Sequence, residues 1–87
     1  MHVRSSKQFE KELKKQRKRG KDLKKFAHIA RMIANQEPLP ERYRNHKLNG
    51  DFKDHWECHI EPDWLLIYLK TRTEIIFVRT GSHSDLF

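Results

Sequence analysis

The spacing of apolar residues changes once along the chain, at a pair of prolines. Before them the apolar positions recur at helical intervals. Ser5-Ser6-Lys7-Gln8 offers a helix start, because Ser5 and Gln8 have capping-box spacing. Phe9 and Leu13 give the helix that follows a thin apolar stripe among lysines and arginines, and Gly20 fits its stop. A second helix is predicted from about Asp22 to Gln36. Its apolar residues Leu23, Phe26, Ala27, Ala30, Ile33 and Ala34 step by three and four and so share one core-facing stripe, which Ile29 and Met32 widen. Met1 to Arg4 reads as a short strand or a frayed end. Pro38-Leu39-Pro40 closes the helical half, since neither proline can continue a helix.

From His46 onward the pattern is that of strands. His46-Lys47-Leu48 is a short extended piece before a turn at Asn49-Gly50-Asp51. Trp56 to Glu61 alternates, with Trp56, Cys58 and Ile60 on one face and Glu57, His59 and Glu61 on the other. Pro62-Asp63 makes a turn. Trp64 to Lys70 contains the longest apolar run in the sequence and is apolar on both faces, as a central strand should be. Thr71-Arg72-Thr73 turns the chain again, Glu74 to Thr80 is the last strand, and Gly81 opens a tail from Ser82 to Phe87. Helices followed by an antiparallel meander make an α+β arrangement in one domain over residues 1–87. Two helices on one sheet face would leave the other face, with His59 on it, open as a shallow groove.

Charge adds a second division to this layout. The net charge is +7, but residues 1–25 hold eleven Lys and Arg against three acids, while residues 26–87 hold eight against nine. The excess is one N-terminal block, and such a block attracts polyanions by counterion release. A solvated helix face is the plain alternative. An interfacial membrane anchor is disfavoured, because the first helix lacks a large apolar face. Two helices joined at a glycine also suggest a helix-turn-helix, but the second helix carries few base-reading side chains. No apolar stretch approaches the ~20 residues that span a bilayer. The single cysteine, Cys58, has no partner for an internal disulfide, which suits a reducing cytoplasm.

Four of the six histidines, His46, His55, His59 and His83, follow the prolines. Hairpin geometry can bring His46, His59, Asp63 and His83 together. Imidazoles titrate near neutrality, so several in one groove supply both a general base and a general acid. RNA cleavage without a metal needs little more: a base for the 2′-hydroxyl, an acid for the departing 5′-oxygen, and a cation for the phosphate. Arg79, on the last strand, has the planar fork that suits a phosphate, or else pairs with Asp63 or Glu61. Phe87 and Trp64 are candidates for stacking on a base, with the core as the competing place for Trp64. Each member has a plain structural reading too. Asp63 after proline is a turn former, and His59 can pair with Glu57 or Glu61. A metal site is disfavoured, because Pro62 breaks the i, i+4 relation of His59 and Asp63, and Cys58 and His59 point to opposite strand faces.

Three segments in order, His46-Lys47-Leu48-Asn49-Gly50, Cys58-His59-Ile60-Glu61-Pro62-Asp63-Trp64-Leu65-Leu66-Ile67-Tyr68 and Arg79-Thr80-Gly81-Ser82-His83-Ser84-Asp85-Leu86-Phe87, resemble the YafQ branch of the RelE/ParE toxin superfamily of type II toxin–antitoxin systems. The resemblance implies a curved, mainly antiparallel sheet with two N-terminal helices on one face. It implies a ribosome-dependent endoribonuclease of the bacterial cytoplasm that cleaves mRNA in the ribosomal A site without cofactor or metal. The basic block would meet ribosomal RNA. It implies a cognate antitoxin that wraps the toxin, operator DNA engaged only through that antitoxin, and no membrane. Residue by residue, His46, His59, Asp63 and His83 match the family's catalytic residues, Arg79 the arginine near the scissile phosphate, and Phe87 the aromatic that seats substrate. The motif leaves the division of acid and base open. The starting assignment has Asp63, supported by His59, on the base side, His83 as acid, and Arg79 and His46 at the phosphate. A superfamily member that acts by binding, such as a gyrase inhibitor, or a plain RNA-binding module are the alternatives, and neither needs clustered histidines.

Overall fold

The structure, a computed structural model that describes residues 2–87, begins with strand β1 (His2–Ser5) and helices α1 (Lys7–Lys18) and α2 (Leu23–Ala34). A single 3-10 turn at Glu41–Tyr43 leads to β2 (His46–Lys47), and another at Gly50–Phe52 leads to β3 (His55–Glu61). Strands β4 (Trp64–Lys70) and β5 (Glu74–Gly81) follow, and a short helix α3 (His83–Leu86) closes the chain. The five strands form one sheet in the order β1-β5-β4-β3-β2, with β1 parallel to β5 and every other pair antiparallel. The start of the chain is therefore a paired edge strand from His2; Met1 lies outside the described residues.

Helix α1 is capped one residue later than its sequence pattern suggests. Ser6, not Ser5, accepts the backbone N–H of Phe9, because Ser5 is the last residue of β1 and pairs with Phe77. Gly20 has φ +90°, the left-handed geometry that ends a helix at low steric cost. Asp22 caps α2. On α2, Ile29 and Ile33 are buried while Ala27 is exposed, so the stripe toward the sheet is centred on Ile29 rather than flanked by it.

The main core lies between the helices and one face of the sheet: Phe9, Ile29 and Ile33 pack with Cys58, Ile60, Trp64, Leu66, Tyr68, Ile75 and Phe77. Burial pushes the Cys58 thiol up to about 12, so it is a packing group and not a nucleophile. On the opposite face Leu65 and Ile67 are covered by Leu86 of α3, with Leu48, Phe52 and Val78 around them. That face is thus part core, part groove. The tail expected after Gly81 is the small helix that makes this cover, held by a capping box between Ser82 and Asp85. Gly81 is required there, since a Cβ would come within 2.9 Å of the Asp85 side chain.

Two irregularities set which way later side chains face. The register of β3 on β4 shifts between His59 and Glu61, and that of β4 on β5 shifts between Ile67 and Tyr68, opposite Arg79 and Phe77. The second shift leaves Val78 as an extra residue. Strict alternation from Ile75 and Phe77 would send Arg79 toward the helices. The bulge instead pairs Arg79 with Ile67, on the groove face, and returns Thr80 to the core. There the Thr80 hydroxyl accepts the Trp64 indole N–H at 2.9 Å and donates to the Leu65 carbonyl at 2.7 Å. Thr80→Val keeps the shape and orphans the indole. A loss of about 1–3 kcal/mol in unfolding free energy by urea titration is expected; an unchanged midpoint would mean that the bond contributes nothing.

Candidate active site

Cross-strand pairing builds the groove in rows. Arg79 lies beside Ile67, Ile67 beside Glu57, and Glu57 beside His46. The next row is Gly81, Leu65 and His59, and His83 follows two residues after Gly81. Residues from β2, β3, the β3–β4 turn and the start of α3 thereby meet on the face away from the helices. His59 and His83 stand edge to face with ring centroids 5.6 Å apart.

Each of the three groove histidines is anchored through the same ring nitrogen. His46 Nδ1 lies 2.6 Å from the Arg44 carbonyl, His59 Nδ1 lies 3.3 Å from the Pro62 carbonyl, and His83 Nδ1 lies 2.7 Å from Asp63 Oδ1. A carbonyl or carboxylate oxygen only accepts, so Nδ1 carries the proton in each ring and the neutral form has its lone pair on Nε2. The Nε2 atoms of His46 and His59 flank one carboxylate: Glu57 Oε1 is 3.5 Å from the first and 3.6 Å from the second. Glu57 is buried at 5% exposure, and the sequence pattern marks it only as an ion-pair partner of His59. Its place two residues before His59 on one strand face was visible, but its pairing opposite His46 was not.

Asp63 sits on the turn that Pro62 starts, where its Oδ1 accepts both the backbone N–H and the ring N–H of His83. Those bonds, the backbone one foremost, hold the Asp63 carboxyl below its usual range. A carboxylate so occupied is a weak base and a good anchor for an imidazole. Trp64 is fully buried, as the core reading required.

Arg79 is on the groove face, yet its guanidinium is gripped from the side by α1. Nε donates to both oxygens of Glu12 at 2.9 Å and Nη2 to Oε2 at 2.6 Å. Glu12 also accepts the Thr80 backbone N–H at 3.2 Å, beyond the end of β1, on the side of β5 away from β4. The partner is neither Asp63 nor Glu61. Glu61 instead takes Lys25 of α2 and Lys21 just before that helix, which lower its carboxyl. By strand spacing Arg79 lies about 10 Å from Glu57, two strands away. Phe87 is 65% exposed but not loose, since its ring meets that of Phe52 edge to face at 5.9 Å, and Phe52 meets His55 in the same way. His55 is thus a loop-packing residue outside the histidine cluster, with its Nδ1 on the Lys53 carbonyl.

The family model for a bacterial toxin of type II toxin–antitoxin systems, YafQ, matches residues 1–87. The chain belongs to the YafQ toxin family. The mRNA interferase toxin YafQ of Escherichia coli K12 is 40% identical over 86 residues, covering 98% of this chain and 94% of that one. The E. coli DinJ–YafQ complex contains a chain that is 41% identical, with a TM-score of 0.90 over 98% of this YafQ-family chain and 96% of that one. A metal-bound toxin from Helicobacter pylori is 40% identical, with a TM-score of 0.93 over 100% of this chain and 99% of that one. Among the described residues here, no three His, Cys, Asp or Glu side chains gather as a donor set for one ion. Among the described residues, no helix is long and apolar enough to cross a membrane.

The carboxylates that frame the site give the fold an acid limit. Arg19, and next the Ser82 backbone N–H, hold Asp85 well below the usual range, and Asp63 and Glu61 are lowered by their own partners. Stability from a depressed carboxylate is complete above its unfolded value near 4 and is lost as pH falls through the folded value. The melting temperature should therefore drop steeply below about pH 4. In Asp85→Asn it should start lower at pH 7 and fall less on acidification; parallel curves for the two proteins would contradict this linkage.

Proposed function

We propose that this toxin is a ribosome-dependent endoribonuclease that cleaves mRNA in the ribosomal A site, and that a cognate antitoxin neutralises it. The observation that carries the reading is the trio of imidazoles in one groove, each anchored at Nδ1 with Nε2 left for chemistry. The E. coli relatives named as mRNA interferase and found complexed with DinJ support the activity and the partner class. Operator DNA is reached only through the antitoxin.

His59 is the base and takes the proton from the 2′-hydroxyl. The buried Glu57 carboxylate beside it stabilises the imidazolium that forms. The 2′-oxygen attacks the adjacent phosphorus in line, and the bond from phosphorus to the 5′-oxygen breaks. His83, oriented by Asp63, delivers a proton to that oxygen. The products are a 2′,3′-cyclic phosphate and a free 5′-hydroxyl. Asp63 moves from the base role of the starting assignment to that of anchor, because both its hydrogen bonds and its lowered carboxyl make it a poor proton acceptor. His46 and Arg79 stabilise charge on the phosphate. Glu12 occupies the inner edge of the Arg79 guanidinium, and Nη1 makes no bond among the described residues. Phe87, braced by Phe52, seats a base.

The basic helices suit ribosomal RNA. Lys7, Lys11, Lys14, Arg17, Lys18 and Lys24 make no ion pair among the described residues, whereas Arg19, Lys21 and Lys25 are engaged with Asp85 and Glu61. Brief induction followed by mapping of mRNA 5′ ends should show codon-phased cuts. His83→Ala should lower cleavage by about 10²–10⁴-fold and relieve growth arrest without loss of fold. Asp63→Ala should act in the same direction. Intact transcripts from a toxic wild-type chain would favour the binding-only alternatives, a gyrase inhibitor or an RNA-binding module.

A further inference from the structure

A cleft opens directly beside the histidines, and the cleavage chemistry of the groove leaves it vacant. It measures about 680 Å³ and runs between α2, the 3-10 turn at Glu41–Tyr43 and the β3–β4 turn. His59 and His83 form one end, Ile60 and Pro62 its apolar floor, and Arg42, Tyr43 and Arg44 the opposite wall. A volume of this size accepts a ligand of nucleotide dimensions.

The cations of this wall are of two kinds. Lys25 is committed to Glu61 at 2.8 Å. Arg42 and Arg44 have no carboxylate partner among the described residues, although both border the cleft. Arg42 is held in one pose: its guanidinium lies 4.8 Å from the centre of the Tyr43 ring and donates to the Tyr43 hydroxyl at 2.9 Å. A planar cation backed by an aromatic ring presents its free face to a flat partner, and guanidinium planes stack on unpaired bases. Arg44 has φ +49°, a left-handed conformation uncommon outside glycine and asparagine. That geometry places its carbonyl on His46 Nδ1, so the cleft wall and the catalytic histidine are set by the same residue.

We propose that this cleft is the subsite for the ribonucleotide on the 3′ side of the cut, with its base stacked on Arg42 and its 3′-phosphate at Arg44. The assignment to that side rests on the proposed cleavage chemistry. His83 protonates the 5′-oxygen of the departing nucleoside, and His83 lines the cleft beside His59. The identity of that nucleotide is then weighed by stacking and charge rather than by base-edge hydrogen bonds. A preference among bases at this position would follow stacking strength.

The test is single-turnover cleavage on ribosomes programmed with two mRNAs, one intact and one abasic at the nucleotide 3′ of the cut. Arg42→Lys keeps the charge and loses the plane. It should cut the intact mRNA roughly tenfold more slowly than wild type and the abasic mRNA at the wild-type rate, with wild type itself slowed by about the same factor on the abasic message. Equal slowing of Arg42→Lys on both mRNAs, no slowing on either, or an abasic message cut by wild type as fast as the intact one overturns the subsite. His83→Ala, run on the same messages, separates the two readings. If it cleaves as well as wild type, the chemistry of the groove is wrong. If it is inactive while Arg42→Lys is unaffected, only the subsite is wrong.

Discussion

Strand alternation, reset at two places, decides what this groove contains. Side chains on β3, β4 and β5 point alternately toward the helices and away from them. With unbroken alternation from Phe77 through Val78, Arg79 would point into the helix-facing core and Thr80 into the groove. The bulge exchanges them. Thr80 then satisfies the buried Trp64 indole, and Arg79 joins the row that runs through Ile67 and Glu57 to His46. One backbone irregularity thus serves the core and the groove at once. A bulge is a common device for re-aiming a side chain near a functional site.

The edges of the sheet are managed by side chains that also shape the groove. Strand β1 covers only the first half of β5. Beyond it, Ser6 donates to the Val78 carbonyl, and Glu12 accepts the Thr80 N–H while gripping Arg79. Farther along, Asp85 joins the capping box of α3 to Arg19 at the end of α1. The histidine at the start of α3 is thereby tied to the N-terminal helices through a single carboxylate. At the other end, β2 is short and the Arg44 carbonyl fixes its first residue, His46. Rigid anchors on both sides let the rings between them hold one orientation without being buried.

Much of this was legible in the sequence. Helix positions, the central strand at Trp64–Lys70, and the opposite faces of Cys58 and His59 all follow from local pattern, and three ordered motifs carried the family. What was not legible depended on pairings between distant segments. The parallel addition of β1 to β5 shifted the α1 cap from Ser5 to Ser6. Glu57 gained its meaning only from lying opposite His46. Glu12, sixty-seven residues from Arg79, has no sequence signal as its partner. The six residues after Gly81 looked like a tail because a helix this short has too few positions to show a period, though Ser82 and Asp85 do have capping-box spacing.

The central claim is that His46, His59 and His83 each hold their proton on Nδ1 and present Nε2 to the groove. Long-range ¹H–¹⁵N correlation spectra of the imidazoles, taken above their titration range, read the tautomer of each ring directly. Nδ1–H in all three rings, with His83 switching toward the ordinary Nε2–H form in Asp63→Ala, is the predicted result. Nε2–H as the main tautomer of His59 or His83 in the wild-type protein would contradict the account, because the nitrogen assigned to the chemistry would then be the wrong one.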